Sequence, residues 1–360
     1  MARNGRCSSK RRTSVSDLVK ARATTFAVAA LGALVFVLAG LPLPLLLGPL
    51  IACLLAALCG ARMANAGSFG TFMRTFLGVA VGASITPDIV GALPAMAGSL
   101  AFVPLFIAVI AMIGYPLFRF GFRMNHPTAW YAAMPGGLQD MLVFGEEAGG
   151  DVRALSLIHA TRVLVIVTAA PILMTVVWSV DLTAPPGRPL AEADPLQLAL
   201  MLACGLGGWK IAERAGLFGA SILGPMILTA LFSLAGVITE RPPAEVIWAV
   251  QFFIGIAVGA KYTGITLQEL KVDVLAGFVY ALLLAGISLV FIELIYLTGT
   301  APAIDAFLAF LPGGQAEMVV IALMAGGNLT YVICHHLLRI VLVILLAPVV
   351  DRLFRRRGGP

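Results

Sequence analysis

Two stretches of this 360-residue chain read almost alike at a fixed distance. Leu77 to Thr86 is LGVAVGASIT, and 177 residues further on Ile254 to Thr263 is IGIAVGAKYT. At the same offset MPGGLQDM, Met134 to Met141, corresponds to LPGGQAEM, Leu311 to Met318. His159, Arg162 and Pro171 correspond to His336, Arg339 and Pro348, and Gly48-Pro49 matches Gly224-Pro225 one residue out of step. A long-period internal repeat constrains architecture more than any local pattern does. Landmarks in one order at one offset divide the chain into a first half, 24–178, and a second, 196–350. Between them lies a polar linker, 179–195, and basic tails occupy 1–23 and 351–360.

Neither half reads as a water-soluble domain. Of all residues 60% are apolar and 12% charged, against roughly half and a quarter in soluble domains. So few ionic groups do not furnish a water-facing surface. Ser99 to Phe118 and Val163 to Trp178 hold no charge at all, and about 20 such residues cross a bilayer. The class expected is an all-α integral membrane protein of two homologous repeats. Cys7, Cys53, Cys59, Cys204 and Cys334 show no paired spacing, so neither a disulfide framework nor a CxxC site is expected. The basic start and the apolar run 24–40 look like a signal peptide. The second half repeats that run, which marks it as a retained span.

Each half offers four apolar spans, a PGG-containing segment and a final span. If the PGG segment crosses, the halves have six spans each and lie parallel. If it enters and returns on one side, they have about five spans each plus a re-entrant hairpin, and lie inverted. Orientation follows the Lys and Arg content of loops. Arg119 to His126 is basic while its counterpart Tyr296 to Ala303 is uncharged, and Leu38 to Pro42 is uncharged while its counterpart region carries Lys210 and Arg214. Lys261 and Lys271 flank a loop whose counterpart holds only Asp88. Opposite charge in matched loops favours an inverted-repeat, transporter-like architecture with both termini cytoplasmic.

Proline removes a backbone donor and two glycines make bending easy, so each PGG breaks its helix. Lipid does not satisfy the freed backbone groups, so such a break survives only against protein or a wet cavity. Discontinuous helices from two inverted repeats form midplane binding sites in secondary transporters. The residues expected at such a site are Pro135, Gly136, Gly137, Gln139 and Asp140 with Pro312, Gly313, Gly314, Gln315 and Glu317. A carboxylate at membrane depth costs about 3 kcal/mol or more and marks function. Asp140 and Glu317 are also placed to cap the half-helices that follow each break. His159 and Arg162, like His336 and Arg339, share a helix face at i and i+3. Each pair is expected to bond a carboxylate near one break, either as a structural lock or as part of a coupling site. Gly78 with Gly82 and Gly255 with Gly259 make GxxxG spacings, read as close helix packing. Glu293, alone in an apolar run, is expected to face an interior partner.

The paired PGG-x-x-[DE]-M segments, the Gly-Pro helix starts and the His-x-x-Arg helices together resemble the bacterial membrane AbrB family, which is defined by this duplicated hydrophobic region. The resemblance covers residues 24 to 350. It implies a membrane protein labelled as a regulator of gene expression or as an ammonia monooxygenase, and shares only a name with a small soluble DNA-binding regulator. The residues speak against oxidation chemistry: there are four histidines, His126, His159, His335 and His336, with no HExxH, facial triad or CxxC. The short tails and loops leave no room for a helix-turn-helix or zinc finger, and no P-loop is present. The expected function is therefore secondary transport of a small organic or anionic solute with proton or sodium coupling. No cofactor, enzyme activity or direct nucleic-acid contact is expected. The partners expected are the solute and the lipid bilayer, and a homodimer is compatible with the sequence. The rival is a membrane-embedded sensor that affects gene expression indirectly.

Overall fold

The structure, a computed structural model, describes residues 15–183, 185, 187–217 and 219–356. Arg3, Arg6, Lys10, Arg11, Arg12, Cys7 and Arg357 of the basic tails lie outside the described residues, as does the side chain of Gln139. The described residues are helical and contain no strand. Among the described residues seven helices are long and apolar enough to cross a membrane: Ser16–Leu38, Pro94–Gly121, Val152–Trp178, Pro195–Arg214, Ala244–Tyr262, Leu267–Leu297 and Leu329–Phe354. Leu31, Leu34, Leu38, Met112, Val176, Leu289 and Leu345 are exposed on them. A lipid-facing surface needs such side chains, and water would penalise them.

In chain order the first half contains α1 (Val15–Leu38), α2 (Pro44–Leu58), α3 (Ser68–Gly82), α4 (Pro87–Leu100) and α5 (Phe102–Pro116). A π turn over Leu117–Gly121 follows, then α6 (His126–Ala133), α7 (Leu138–Glu147) and α8 (Val152–Trp178). The second half contains α9 (Pro195–Arg214), α10 (Ala220–Leu234), α11 (Ala244–Gly259), α12 (Leu267–Glu269) and α13 (Leu275–Leu297). It ends with α14 (Ala303–Phe310), α15 (Gln315–Met324) and α16 (Leu329–Arg356). Local chemistry sets many of these starts. Asn125 accepts a hydrogen bond from Thr128 N at 3.0 Å to open α6. Asp151 accepts from Arg153 N and Ala154 N to open α8, and Asp194 with Pro195 opens α9. A side-chain acceptor at the N-cap and proline at the first position supply what a helix start lacks.

The halves are woven together by their glycines. A Cβ added to Gly78 or Gly82 of α3 would strike the carbonyl oxygens of Ile222 and Met226 in α10. A Cβ added to Gly255 or Gly259 of α11 would strike those of Leu46 and Leu50 in α2. Each half therefore packs its GxxxG stripe on the Gly-Pro helix of the other, at the separation that small-xxx-small motifs permit. Rising numbers on both sides of each contact make α3 parallel to α10, and α11 parallel to α2. Thr263 Oγ1 donates to Met63 O at 3.3 Å, so α11 ends where α3 begins. The sequence-equivalent helices α3 and α11 thus run in opposite senses.

The two ends of the bundle differ in charge. At one end Arg22 donates to Asn65 O, Arg153 pairs with Glu269 at 2.7 Å, and His126 pairs with Asp351 at 3.0 Å. Arg62, Arg119, Arg123, Lys271 and Arg352 sit at this end through the same segments. At the other end Leu43 N donates to Leu182 O, and the polar segment after α8 docks on α11 through Ala244 N to Arg188 O and Leu190 N to Glu245. Arg188 and Arg241 are the basic residues described there. Glu293 lies exposed on α13, one turn before its end at Leu297, and not against an interior partner. A carboxylate so near a helix end can reach the headgroup region, which removes the need for a buried partner.

Candidate functional site

The PGG segments interrupt their helices as their composition predicts. α6 stops at Ala133, and α7 starts at Leu138 behind an extended Gly137. α14 stops at Phe310, and α15 starts at Gln315 behind an extended Gly314. With 8 and 10 residues, the first pair is about 12 and 15 Å long, half a bilayer each. At the break the chain doubles back. Asn125 Nδ2 donates to Gly149 O, and Asp151 N donates to Thr128 Oγ1, joining the start of α6 to the end of α7. Asn328 N donates to Asp305 Oδ1 at 2.9 Å and does the same for α14 and α15.

Each break exposes carbonyls that need donors, and a fixed set of side chains supplies them. His159 Nε2 donates to Tyr131 O at 3.0 Å, while Arg162 Nη1 and Nη2 donate to Met134 O and Gly136 O at 3.4 and 3.3 Å. At 177 residues' offset His336 Nε2 donates to Leu308 O at 2.9 Å, and Arg339 donates to Leu311 O and Gly313 O at 3.5 and 3.4 Å. α13 completes both sets, Tyr280 Oη donating to Ala133 O and Ser288 Oγ to Phe310 O. The expectation that these His and Arg residues bond a carboxylate is corrected here. Neither Arg162 nor Arg339 makes a salt bridge among the described residues. The reason is steric and electrostatic: two orphan carbonyls at a helix break present a two-point acceptor that a planar guanidinium fork fits. His336 Nδ1 accepts from Arg339 Nη2 at 3.1 Å, so its ring is the neutral Nε2–H tautomer.

Arg162 and Arg339 are 2% and 3% exposed, yet Nε of both finds no partner, nor does Nδ1 of His159. Each break also touches the long helix of the other half. A Cβ on Gly136 would come within 2.9 Å of Val343 Cγ1 in α16, and one on Gly313 within 3.3 Å of Ile166 Cγ2 in α8. Val343 and Ile166 each lie one turn beyond the arginine of their helix. Pro135, Gly136, Pro312 and Gly313 are buried, the first break against α16 and the second against α8. The acids turn toward their own helix starts. A Cβ on Gly137 would collide with Asp140 Oδ2, and one on Gly314 with Glu317 Oε2. Leu138, Asp140, Gln315 and Glu317 are half-buried. Both carboxylates therefore sit at the positive end of a half-helix.

Sequence reasoning missed Lys261 and Arg74. Glu317 lies within electrostatic reach of Lys261 and of Arg162, and Arg74 within reach of Lys261. The signal was a mismatch inside the repeat: Ser84 in GASIT stands opposite Lys261 in GAKYT. Tyr280 and Ser288 left no such signal, because their partners are backbone atoms. Among the described residues no group of three or more His, Cys, Asp or Glu is placed to hold a metal ion.

The profile of a family described as "Transition state regulatory protein AbrB" matches residues 45–355. The chain belongs to the AbrB family. Two relatives match over nearly the whole length. The protein YhjN of Bacillus subtilis (strain 168) is 26% identical over 358 residues, covering 92% of this chain and 93% of its own. A protein of Escherichia coli (strain K12) named "Putative regulator AbrB" is 24% identical over 330 residues, covering 88% and 91%.

Proposed function

We propose that this AbrB-family protein is a secondary transporter of a small organic or anionic solute, with the solute held between its two broken helices. The observation that carries the proposal is that each break packs on the long helix of the other half, each with a buried arginine that has an unused donor and a half-buried carboxylate. Each guanidinium brackets two carbonyls and still keeps Nε unfilled, and an unfilled buried donor is costly unless a further acceptor meets it. In this reading the two halves are inverted repeats and the PGG segments are re-entrant hairpins entering from opposite faces. The basic end, which carries most of the Lys and Arg, is then cytoplasmic with both termini, and the membrane is the bacterial inner membrane. The coupling groups are Asp140 and Glu317. The histidines are committed as neutral donors to carbonyls and do not serve as proton carriers. No enzyme activity and no cofactor belong to this reading.

Flux measurements on the purified protein in liposomes test it. Solute uptake driven by an imposed proton or sodium gradient is expected, and Asp140→Asn or Glu317→Gln is expected to abolish it in protein that still elutes as one species. Normal uptake by both variants would remove these acids from the site. A second reading is favoured by the name of the Escherichia coli relative: a membrane-embedded sensor that signals through its basic tails. It predicts no flux, and loss of a regulatory response when residues 1–20 are deleted.

A further inference from the structure

The two halves agree in backbone but not in charge. Lys261 follows α11 in a short 3-10 turn, Ala260–Tyr262. That turn is tied to α8 by Tyr262 Oη donating to Thr161 Oγ1 at 2.9 Å, a buried bond, and α15, which carries Glu317 in its first turn, packs against α3, α8 and α11. The equivalent positions in the other half are Ser84, Ile85 and Leu338, which cannot form such a tie. Arg74 of α3 lies within electrostatic reach of Lys261, and its equivalent in α11 is Gln251. Glu317 of the second break is therefore neighboured by three cations that bond none of that break's carbonyls, Arg162 of the first break, Lys261 and, beside Lys261, Arg74, in addition to Arg339 on the carbonyls of the second break itself. The matched positions of the other half offer one cation, Arg339, and one carboxylate, Asp140.

The single carboxylate does not neutralise the set. Glu317 is folded over Gly314, and neither Lys261 nor Arg74 has a hydrogen bond or salt bridge among the described residues. Arg162 keeps Nε unfilled while 2% exposed. Partly dehydrated positive charge in this excess calls for a counter-ion, because desolvated charge left unpaired is costly. A carboxylate or phosphate meets that need, pairing with a guanidinium edge and an ammonium together.

We propose that Arg162, Lys261 and Arg74 around Glu317 form an anion seat on the second break only, for a small solute carrying carboxylate or phosphate. Glu317 is the resident counter-ion, turned to its helix start so that an incoming anion can take the cations. The seat deepens the transport reading by giving the solute its sign and one half its affinity, and it rests on that reading for its purpose. Its test reads no flux, so the two fail separately.

Gln315→Cys and Leu138→Cys place reporters at equivalent positions of the two breaks and leave all the charged groups intact. In detergent-solubilised full-length protein, each is reacted with the anionic sulfonatoethyl and the cationic trimethylammonioethyl methanethiosulfonates. Reaction of the native cysteines, measured on the unsubstituted protein, is subtracted. At position 315 the anionic reagent is expected to gain about tenfold over its ratio with free cysteine, the scale of electrostatic focusing in a cleft. At position 138 no gain is expected. Lys261→Ser or Arg74→Gln, each copying the other half, is expected to cut the gain at 315 at least threefold. The two are made separately, so that one variant suffices if the other fails to fold. Equal ratios at 315 and 138, a gain untouched by both substitutions, or no reaction at 315 would overturn the seat. Normal flux with no preference would sink the seat and spare the carrier, and a preference without flux would do the reverse.

Discussion

Arg162 and Arg339 do work that a sequence assigns to ion pairs, and they do it through geometry. Each guanidinium spans two carbonyls two residues apart, a task that a compact ammonium on a flexible stem cannot perform. Arg162→Lys and Arg339→Lys should each therefore destabilise by about 3 kcal/mol, the scale for breaking a buried charged contact. The readout is a lower temperature for loss of monodisperse protein in detergent. If either variant melts like the parent, carbonyl bracketing is not what holds that break. Gly314 makes a contrasting case. The three atoms nearest to a Cβ there all belong to the end of the flexible Glu317 side chain, so Gly314→Ala should change stability by less than about 1 kcal/mol. It should still displace the carboxylate from the helix start and impair transport in the liposome assay. A large stability loss would show that the glycine serves the fold and not the site.

Among the elements, the reciprocal crossing of GxxxG stripes on Gly-Pro helices carries the most consequence. A Cβ on Gly259 would come within 2.6 Å of Leu50 O and 2.7 Å of Cys53 Cβ, and one on Gly82 within 2.7 Å of Thr229 Cβ. Backbone does not yield as a flexible side chain does, so Gly82→Ala and Gly259→Ala should each cost about 1–3 kcal/mol. Matching losses of thermal stability are expected because the contacts match, and a loss confined to one site would mean the crossings are not equivalent. These stripes, the breaks and the His-x-x-Arg helices were legible in the sequence because each is a local pattern repeated at one offset. The crossing itself was not, since α3 pairs with α10 and α11 with α2 at separations no local pattern records. The partners of Arg162 and Arg339 were hidden for another reason: every residue has a carbonyl, so a carbonyl acceptor leaves no mark on residue type. Glu293 misled because a lone acid in an apolar run looks the same at a helix end as at its middle.

At the scale of the molecule, everything turns on which face each hairpin opens to. The mouth of the first, at Asn125 and Gly149, belongs to the end where Arg153 meets Glu269. The mouth of the second closes through Asp305 and Asn328, and Met324 at the end of α15 lines a cavity of about 570 Å³ together with Leu182 and Leu41 of the other end. The proposed carrier needs these two mouths to be opposed, so that a site between the breaks opens to one compartment and then the other, as alternating access requires. Cysteine labelling across the membrane tests this directly. Glu147→Cys reports the first mouth and Thr298→Cys the approach to the second, both being exposed positions, and Thr183→Cys reports the linker. With a membrane-impermeant maleimide, Thr298→Cys and Thr183→Cys should react in intact spheroplasts, whereas Glu147→Cys should react only in inverted vesicles. Were Glu147 and Thr298 to label from the same side, the two breaks would serve one compartment. A solute bound between them would then have no route across, however many cations surround it.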